Sequence, residues 1–262
     1  YMPQHGRSMP SNEVLHELVE KLREVIFPGY YGNSSLRPET SGYHIGVNVD
    51  RAYRLLTDQI RKGICYACQA ETDYRCKDCE EEAPRKAADF IERLPKIRKL
   101  LATDVRAAYR GDPAAKGVGE VIFCYPTIRT MTNHRIAHEL HKLNIPLIPR
   151  IIAEMAHSET GIDIHPAAEI GEYFAIDHGT GVVIGETCHI GSNVKIYQGV
   201  TLGAKSFPAD DEGNPIKGIP RHPIVEDDVI IYSNASILGR ITVGKGSVIG
   251  GNIWITKNLP PH

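Results

Sequence analysis

No apolar run among the 262 residues approaches the roughly twenty needed to cross a bilayer, so the expected chain does not enter a membrane. No charge sign dominates either. Thirty Lys and Arg stand against 32 Asp and Glu, a net charge of -2, and a nucleic-acid surface would normally show as a basic excess. The first ten residues are polar and lack the apolar stretch of a signal peptide, which makes a soluble cytoplasmic protein the default expectation. The length suffices for a real core in one large or two modest domains.

What is present is a period. An aliphatic residue returns every sixth position at Ile164, Ile170 and Ile176, then, after one eight-residue step, at Ile184, Ile190, Ile196 and Leu202. A second run reads Val225, Ile231, Ile237, Val243, Ile249 and Ile255. Gly follows the aliphatic residue at Ile170, Ile184, Ile190, Leu202, Val243 and Ile249. A helix would carry period six to a new face each time, whereas a short strand plus a turn can repeat every six, making one side of a triangular coil. Coils of this kind stack into a solenoid that buries each aliphatic residue against its neighbours above and below. An evenly spaced β-sandwich is the alternative, but its strands are longer and its turn signals further apart.

The first half is patterned differently. Residues 14–26 place Val14, Leu15, Leu18, Val19, Leu22, Val25 and Ile26 at helical spacing, ended by Pro28 and Gly29. Residues 49–64, 83–109 and 125–143 read as helices too, with a break at Pro95. The expected organisation is therefore α+β: a helical domain over 1–160, then a parallel β-solenoid over 161–262. Residues 204–224 break the hexad period and are expected to leave the stack as a loop, where binding residues concentrate.

Within the helical part, Cys65, Cys68, Cys76 and Cys79 form two CxxC pairs that could ligate a structural zinc and staple a helix-helix turn, with free thiols or disulfides as the alternative. Cys188 falls within a coil and reads as a small buried hydrophobe. His134, His138 and His141 share a helical face, but no acidic residue completes a zinc motif and a packed face is expected.

Polar groups that a solenoid does not need occur in the first hexad run: Asp163 and His165, then Asp177 and His178. Asp163 and His178 can lie near one another on successive coils. An Asp bonded to one imidazole nitrogen leaves the other free to take a proton from a hydroxyl, which is a general-base dyad. A surface pair with no task is the competing reading.

The stretches Asp163-Ile-His-Pro-Ala-Ala, Asp177-His-Gly-Thr-Gly, Gly185-Glu-Thr, Gly199-Val-Thr-Leu-Gly and Arg221-His-Pro closely resemble the serine O-acetyltransferase family of hexapeptide-repeat acyltransferases. The resemblance runs from about Thr103 to the end and includes Tyr109-Arg-Gly-Asp-Pro-Ala and Arg135-Ile-Ala-His, and the long loop matches the family's extended-loop branch. It implies a left-handed β-helix, His178 as general base oriented by Asp163, and L-serine held by Asp112, Asp177, Arg221 and His222. It further implies acetyl-CoA as co-substrate along a groove near Gly203, Ala204, Lys205, Ser233 and Gly251, between subunits of a trimer or dimer of trimers. L-Cysteine is implied as a feedback inhibitor and O-acetylserine sulfhydrylase as a partner. The first hundred residues do not match the short helical domain of the best-known members. Another hydroxyl acceptor, homoserine or a sugar, is the rival enzymatic reading, and a catalytically silent partner protein the rival outside enzymology.

Overall fold

The computed structural model describes residues 9–32, 35–67 and 77–262, the side chains of 77–79 excepted. Seven helices come first among these: α1 (Asn12–Ile26), α2 (Pro38–Ala67), α3 (Lys77–Glu92), α4 (Leu94–Gly111), α5 (Val118–Cys124), α6 (Pro126–Lys142) and α7 (Ile148–Thr160). Thirteen short strands follow: β1 (Asp163–Ile164), β2 (Glu169–Ile170), β3 (Ala175–Asp177), β4 (Val183–Ile184), β5 (His189–Ile190), β6 (Lys195–Tyr197), β7 (Thr201–Gly203), β8 (Ile224–Val225), β9 (Ile230–Ile231), β10 (Ser236–Leu238), β11 (Thr242–Val243), β12 (Val248–Ile249) and β13 (Trp254–Ile255). None of the described helices is long and apolar enough to cross a membrane.

The chain divides into two compact units, one of residues 1–99 with 135–155 and one of 100–134 with 156–262. In the first, α1 starts where Ser11 accepts a hydrogen bond from the Val14 N–H, satisfying one of the helix's orphan donors. Its buried stripe of Leu15, Leu18, Leu22 and Ile26 faces α2, which buries Ala52, Leu56 and Ile60, and α2 in turn packs on α3 with Ala83, Ala87 and Phe90. The chain breaks between α3 and α4 at Arg93, so Pro95 falls in the first turn of α4, where its missing N–H costs nothing. Cys68 and Cys76 and the side chain of Cys79 lie outside the described residues, and Cys65 is half-buried near the end of α2. On α6, His134 and His138 are buried and His141 is exposed.

In the second unit the strands form three all-parallel sheets, ordered β1-β4-β7-β10-β13, β2-β5-β8-β11 and β3-β6-β9-β12. This is the left-handed parallel β-helix, with each sheet one face of a triangular prism. The register places hexad on hexad: Ile164, Ile184, Leu202, Ile237 and Ile255 stack in one column, Ile170, Ile190, Val225 and Val243 in the second, Ile176, Ile196, Ile231 and Ile249 in the third. Nearly all of these are buried, and each contributes about 1.5–3 kcal/mol. Residues 204–224 leave the stack after β7 and return at β8, as the broken period predicts. The period begins at residue 161, but the compact unit also takes in 100–134 and 156–160. Thr103 and the fully buried Asp104 on α4 accept the N–H groups of Tyr173 and Phe174, both at 3.1 Å, which fixes the end of α4 against the first coil.

Candidate active site

The sequence-predicted residues fall into two groups within the β unit, on different edges of the β1-β4-β7-β10-β13 sheet. The first occupies the edge where the chain turns from β3 into β4. His178 follows β3 directly, in the left-handed region at φ 58°, and presents a side chain that is 75 % exposed. A non-glycine residue at that backbone angle is uncommon, and such strain clusters where a fixed side-chain direction is needed.

Beside it, a cavity of about 260 Å³ is walled by Asp112, Tyr125, Asp177, His178 and Lys195, with Gly111 and Thr127 among the other lining residues. Asp112 reaches it from the turn after α4. Its Oδ2 accepts the Tyr125 hydroxyl at 2.5 Å and its Oδ1 the Ala114 N–H at 2.8 Å. The Tyr125 hydroxyl, then the Ala114 amide, hold the Asp112 carboxyl below the usual range, and the same bond pushes Tyr125 up to about 12. Asp112 is therefore an anion with both oxygens already oriented. Asp177 Oδ2 lies 2.8 Å from Lys195 Nζ, and Asp177 Oδ1 lies 3.8 Å from His178 Nε2.

Asp163 opens β1 on this same edge. Among the described residues no hydrogen bond or ion pair joins it to His178, and the carboxylate beside the imidazole is that of Asp177.

The second group occupies the edge where β4 turns into β5. Arg221 and His222 end the long loop. Arg221 Nη2 bonds Glu186 Oε2 at 2.6 Å, and the backbone N–H groups of Arg221 and His222 donate to Thr187 Oγ1 at 2.9 and 3.1 Å. Burial raises the Glu186 carboxyl, but the bond and charge of Arg221 outweigh it, and the net direction is down. Gly185 is required here: a Cβ at that position would overlap the His222 ring.

The tautomer of His222 follows from its partner. Nδ1 accepts the Thr187 N–H at 3.1 Å, so the proton of the neutral ring sits on Nε2, which is a donor. Burial, with the Arg221 charge adding to it, lowers this imidazole from 6.5 to about 4. Unfolded chains therefore bind a proton at His222 that the folded chain refuses between those values. The stabilisation is complete above about pH 6.5 and lost as pH falls toward about 4. In chemical denaturation at pH 7, 5.5 and 4, His222→Gln should lose less stability over this interval than the unaltered protein; parallel curves would disprove the assignment.

The residues expected along the co-substrate groove divide between the same two edges. Ser233 and Gly251 lie on successive coils at the first, close enough that a Cβ on Gly251 would come 3.0 Å from the Ser233 carbonyl oxygen. Gly203, Ala204 and Lys205 leave the second, where Gly203 accepts the Gly239 N–H at 2.9 Å.

Sequence reasoning missed Lys195 and Tyr125 and assigned no role to Glu186, Thr187 or Arg240. Arg240 donates to the carbonyls of Thr187 at 2.6 Å and His222 at 3.1 Å. The signal for Glu186 and Thr187 was the stretch Gly185-Glu-Thr; Lys195 carried none beyond being a cation one coil from Asp177.

A family model described as the hexapeptide repeat of succinyl-transferase matches residues 181–207 and 224–257, the two runs on either side of the loop. A protein of Synechococcus elongatus named "Serine acetyltransferase, plasmid" is 52 % identical over 254 residues, covering 96 % of this chain and 80 % of that one. The structure of Entamoeba histolytica serine acetyltransferase 1 in complex with L-cysteine superposes with a TM-score of 0.81 at 35 % identity, over 100 % of this chain and 89 % of that one. Neisseria gonorrhoeae serine acetyltransferase in complex with serine gives 0.60 at 25 % identity, over 93 % and 92 %. Helices and coils alike are matched by relatives of one kind: this chain belongs to the serine acetyltransferase family.

Proposed function

We propose that this protein transfers the acetyl group of acetyl-CoA to the hydroxyl of L-serine, with His178 as general base. The observation that carries the reading is the cavity in which Asp112, Asp177 and an exposed imidazole converge. Two oriented carboxylates suit an ammonium group, and Arg221, steadied by Glu186, suits the α-carboxylate through its planar fork. His178 takes the proton of the serine hydroxyl as its oxygen attacks the thioester carbonyl. The tetrahedral oxyanion collapses with cleavage of the C–S bond, and the departing sulfur recovers the proton from the imidazolium. No covalent enzyme intermediate is needed. Asp163, which opens β1 on the same edge, is the residue we assign to orienting the base.

The division of the site over two edges supports an assembly in which one chain's His178 edge meets a neighbour's Arg221 edge. Both the acceptor residues and the co-substrate residues divide the same way, so a threefold arrangement completes both subsites at once. Relatives solved with L-cysteine and with serine support those two amino acids as ligands, cysteine competing with serine as its thiol isostere. We place the reaction in the cytoplasm, where acetyl-CoA is available and thiols such as Cys124 and Cys188 stay reduced.

The acceptor is tested by measuring CoA release with L-serine, L-homoserine, galactosides and amino sugars. L-Serine should lead by at least about ten-fold in kcat/KM, since a site built on hydrogen bonds rejects what leaves them unmade. A larger value for any of the others would assign a different acceptor.

A further inference from the structure

Lys195 is a charged member of the cavity wall that the reading above leaves without a task. It lies on β6, paired with Ala175 on the coil below, and its side chain is 19 % exposed. Its ammonium is fully engaged. Nζ donates to Asp177 Oδ2 at 2.8 Å and to the Gly111 carbonyl at 2.7 Å, and sits 4.6 Å from the centre of the Tyr197 ring. An ammonium has three protons to give, and all three directions are spoken for. Lys195 is thus unsuited to receive a substrate carboxylate.

What it joins is more informative. Gly111 precedes Asp112 in the chain, so one cation ties together the two segments that carry the two carboxylates of the cavity. The tie is fitted: Gly111 has no side chain, and a Cβ there would come 3.3 Å from Nζ and 3.6 Å from Cδ and Cε of the same lysine. Only Oδ2 of Asp177 is consumed, which leaves Oδ1 on the His178 side. Burial would lower the Lys195 pKa, but its bonds to Asp177 and Tyr197 prevail and raise it, so the clamp is charged at any neutral pH.

We propose that Lys195 is a positioning residue that sets the separation and direction of Asp112 and Asp177 for the acceptor's ammonium group. The proposal rests on the assignment of those carboxylates to the ammonium. Two effects of removing the lysine oppose each other. Loss of a cation strengthens the attraction between the cavity and an ammonium, while loss of the clamp frees both carboxylates to move. The cavity is open to water and its charges are screened, whereas a misdirected carboxylate is not repaired by solvent, so orientation prevails.

Lys195→Met should therefore raise KM for L-serine about ten-fold while kcat stays within about three-fold and KM for acetyl-CoA is unchanged. Lys195→Arg, whose fork can reach the same two oxygens, should return most of the serine KM. Gly111→Ala, which crowds Nζ, should raise serine KM by itself but add little in the Lys195→Met background, because both act on one contact. An unchanged or lowered serine KM in Lys195→Met overturns the proposal. So does a loss shared equally by both substrates, or full additivity of the two substitutions. Failure of the unaltered protein to acetylate L-serine would instead sink the assignment beneath it.

Discussion

Replacing His178 by Ala should lower kcat/KM for acetyl transfer by about 10² to 10⁴, or about 3–5 kcal/mol of barrier, with the fold unchanged. The size follows from the role: a positioned base contributes that much, and among the described residues that line the cavity within one chain His178 is the sole imidazole. The fold survives because the side chain is mostly in water and its removal opens no hole in the core. The backbone angle of 58° is a complication, since a left-handed angle costs an alanine roughly 1–2 kcal/mol. His178→Asn answers it, because asparagine tolerates that region as readily as histidine does and still lacks a base. Circular dichroism should match the unaltered protein for both, and the melting temperature should match for His178→Asn while falling by a few degrees for His178→Ala. Activity within about three-fold of normal in either variant would remove His178 from the mechanism.

A loss on the order of 10² in kcat/KM is expected from Gly185→Ala, a substitution that touches no reacting group. The added methyl would occupy the space of the His222 ring, on the side of Cδ2 and Nε2. The ring cannot simply slide away, because Nδ1 is held by the Thr187 N–H and the His222 carbonyl by Arg240. It must tilt, carrying its Nε2 donor out of line, and Arg221 next to it moves as well. Gly213→Ala in the exposed loop is the control. Nothing lies within 4 Å of the new Cβ there, and its φ of 83° is left-handed whereas Gly185 has no such angle, so the control carries backbone strain without the collision. Equal activities for the two variants would show that the Gly185 contact is immaterial.

How much of this was readable in advance depends on the range of the forces concerned. The coils were legible because one hexad position faces the axis in every turn, so Ile164 through Ile255 print the period directly into the sequence. The helices over 14–26 and 49–64 were legible for the same reason at a different spacing. Two others were not. α5 has seven residues, too few to repeat a pattern, and α7 begins Ile148-Pro149, where proline punctuates a sequence yet fits a first helical turn.

At the site, His178, Asp177 and Asp112 came from motifs, and the structure does bring these three to one cavity. It does not bring Arg221 and His222 there, because they sit across a face of the prism, beside Thr187 where β4 turns into β5. Lys195 and Tyr125 escaped for another reason. Each matters through partners distant in sequence, Lys195 through Asp177 and Gly111 and Tyr125 through Asp112, and a contact made only in three dimensions leaves no local period.

The loop that separates β7 from β8 leaves the flanking coils in register, Leu202 facing Ile237 and Gly203 facing Leu238 as though nothing intervened. Changing the length of such an excursion costs little, about 0.6 kcal/mol for each doubling, because only closure entropy is at stake. Yet its last residues, Arg221 and His222, land beside Thr187 in a fixed place. This corner can accordingly grow, shrink or change composition, altering the surface around Thr187, while the prism that carries the imidazole stays as it is.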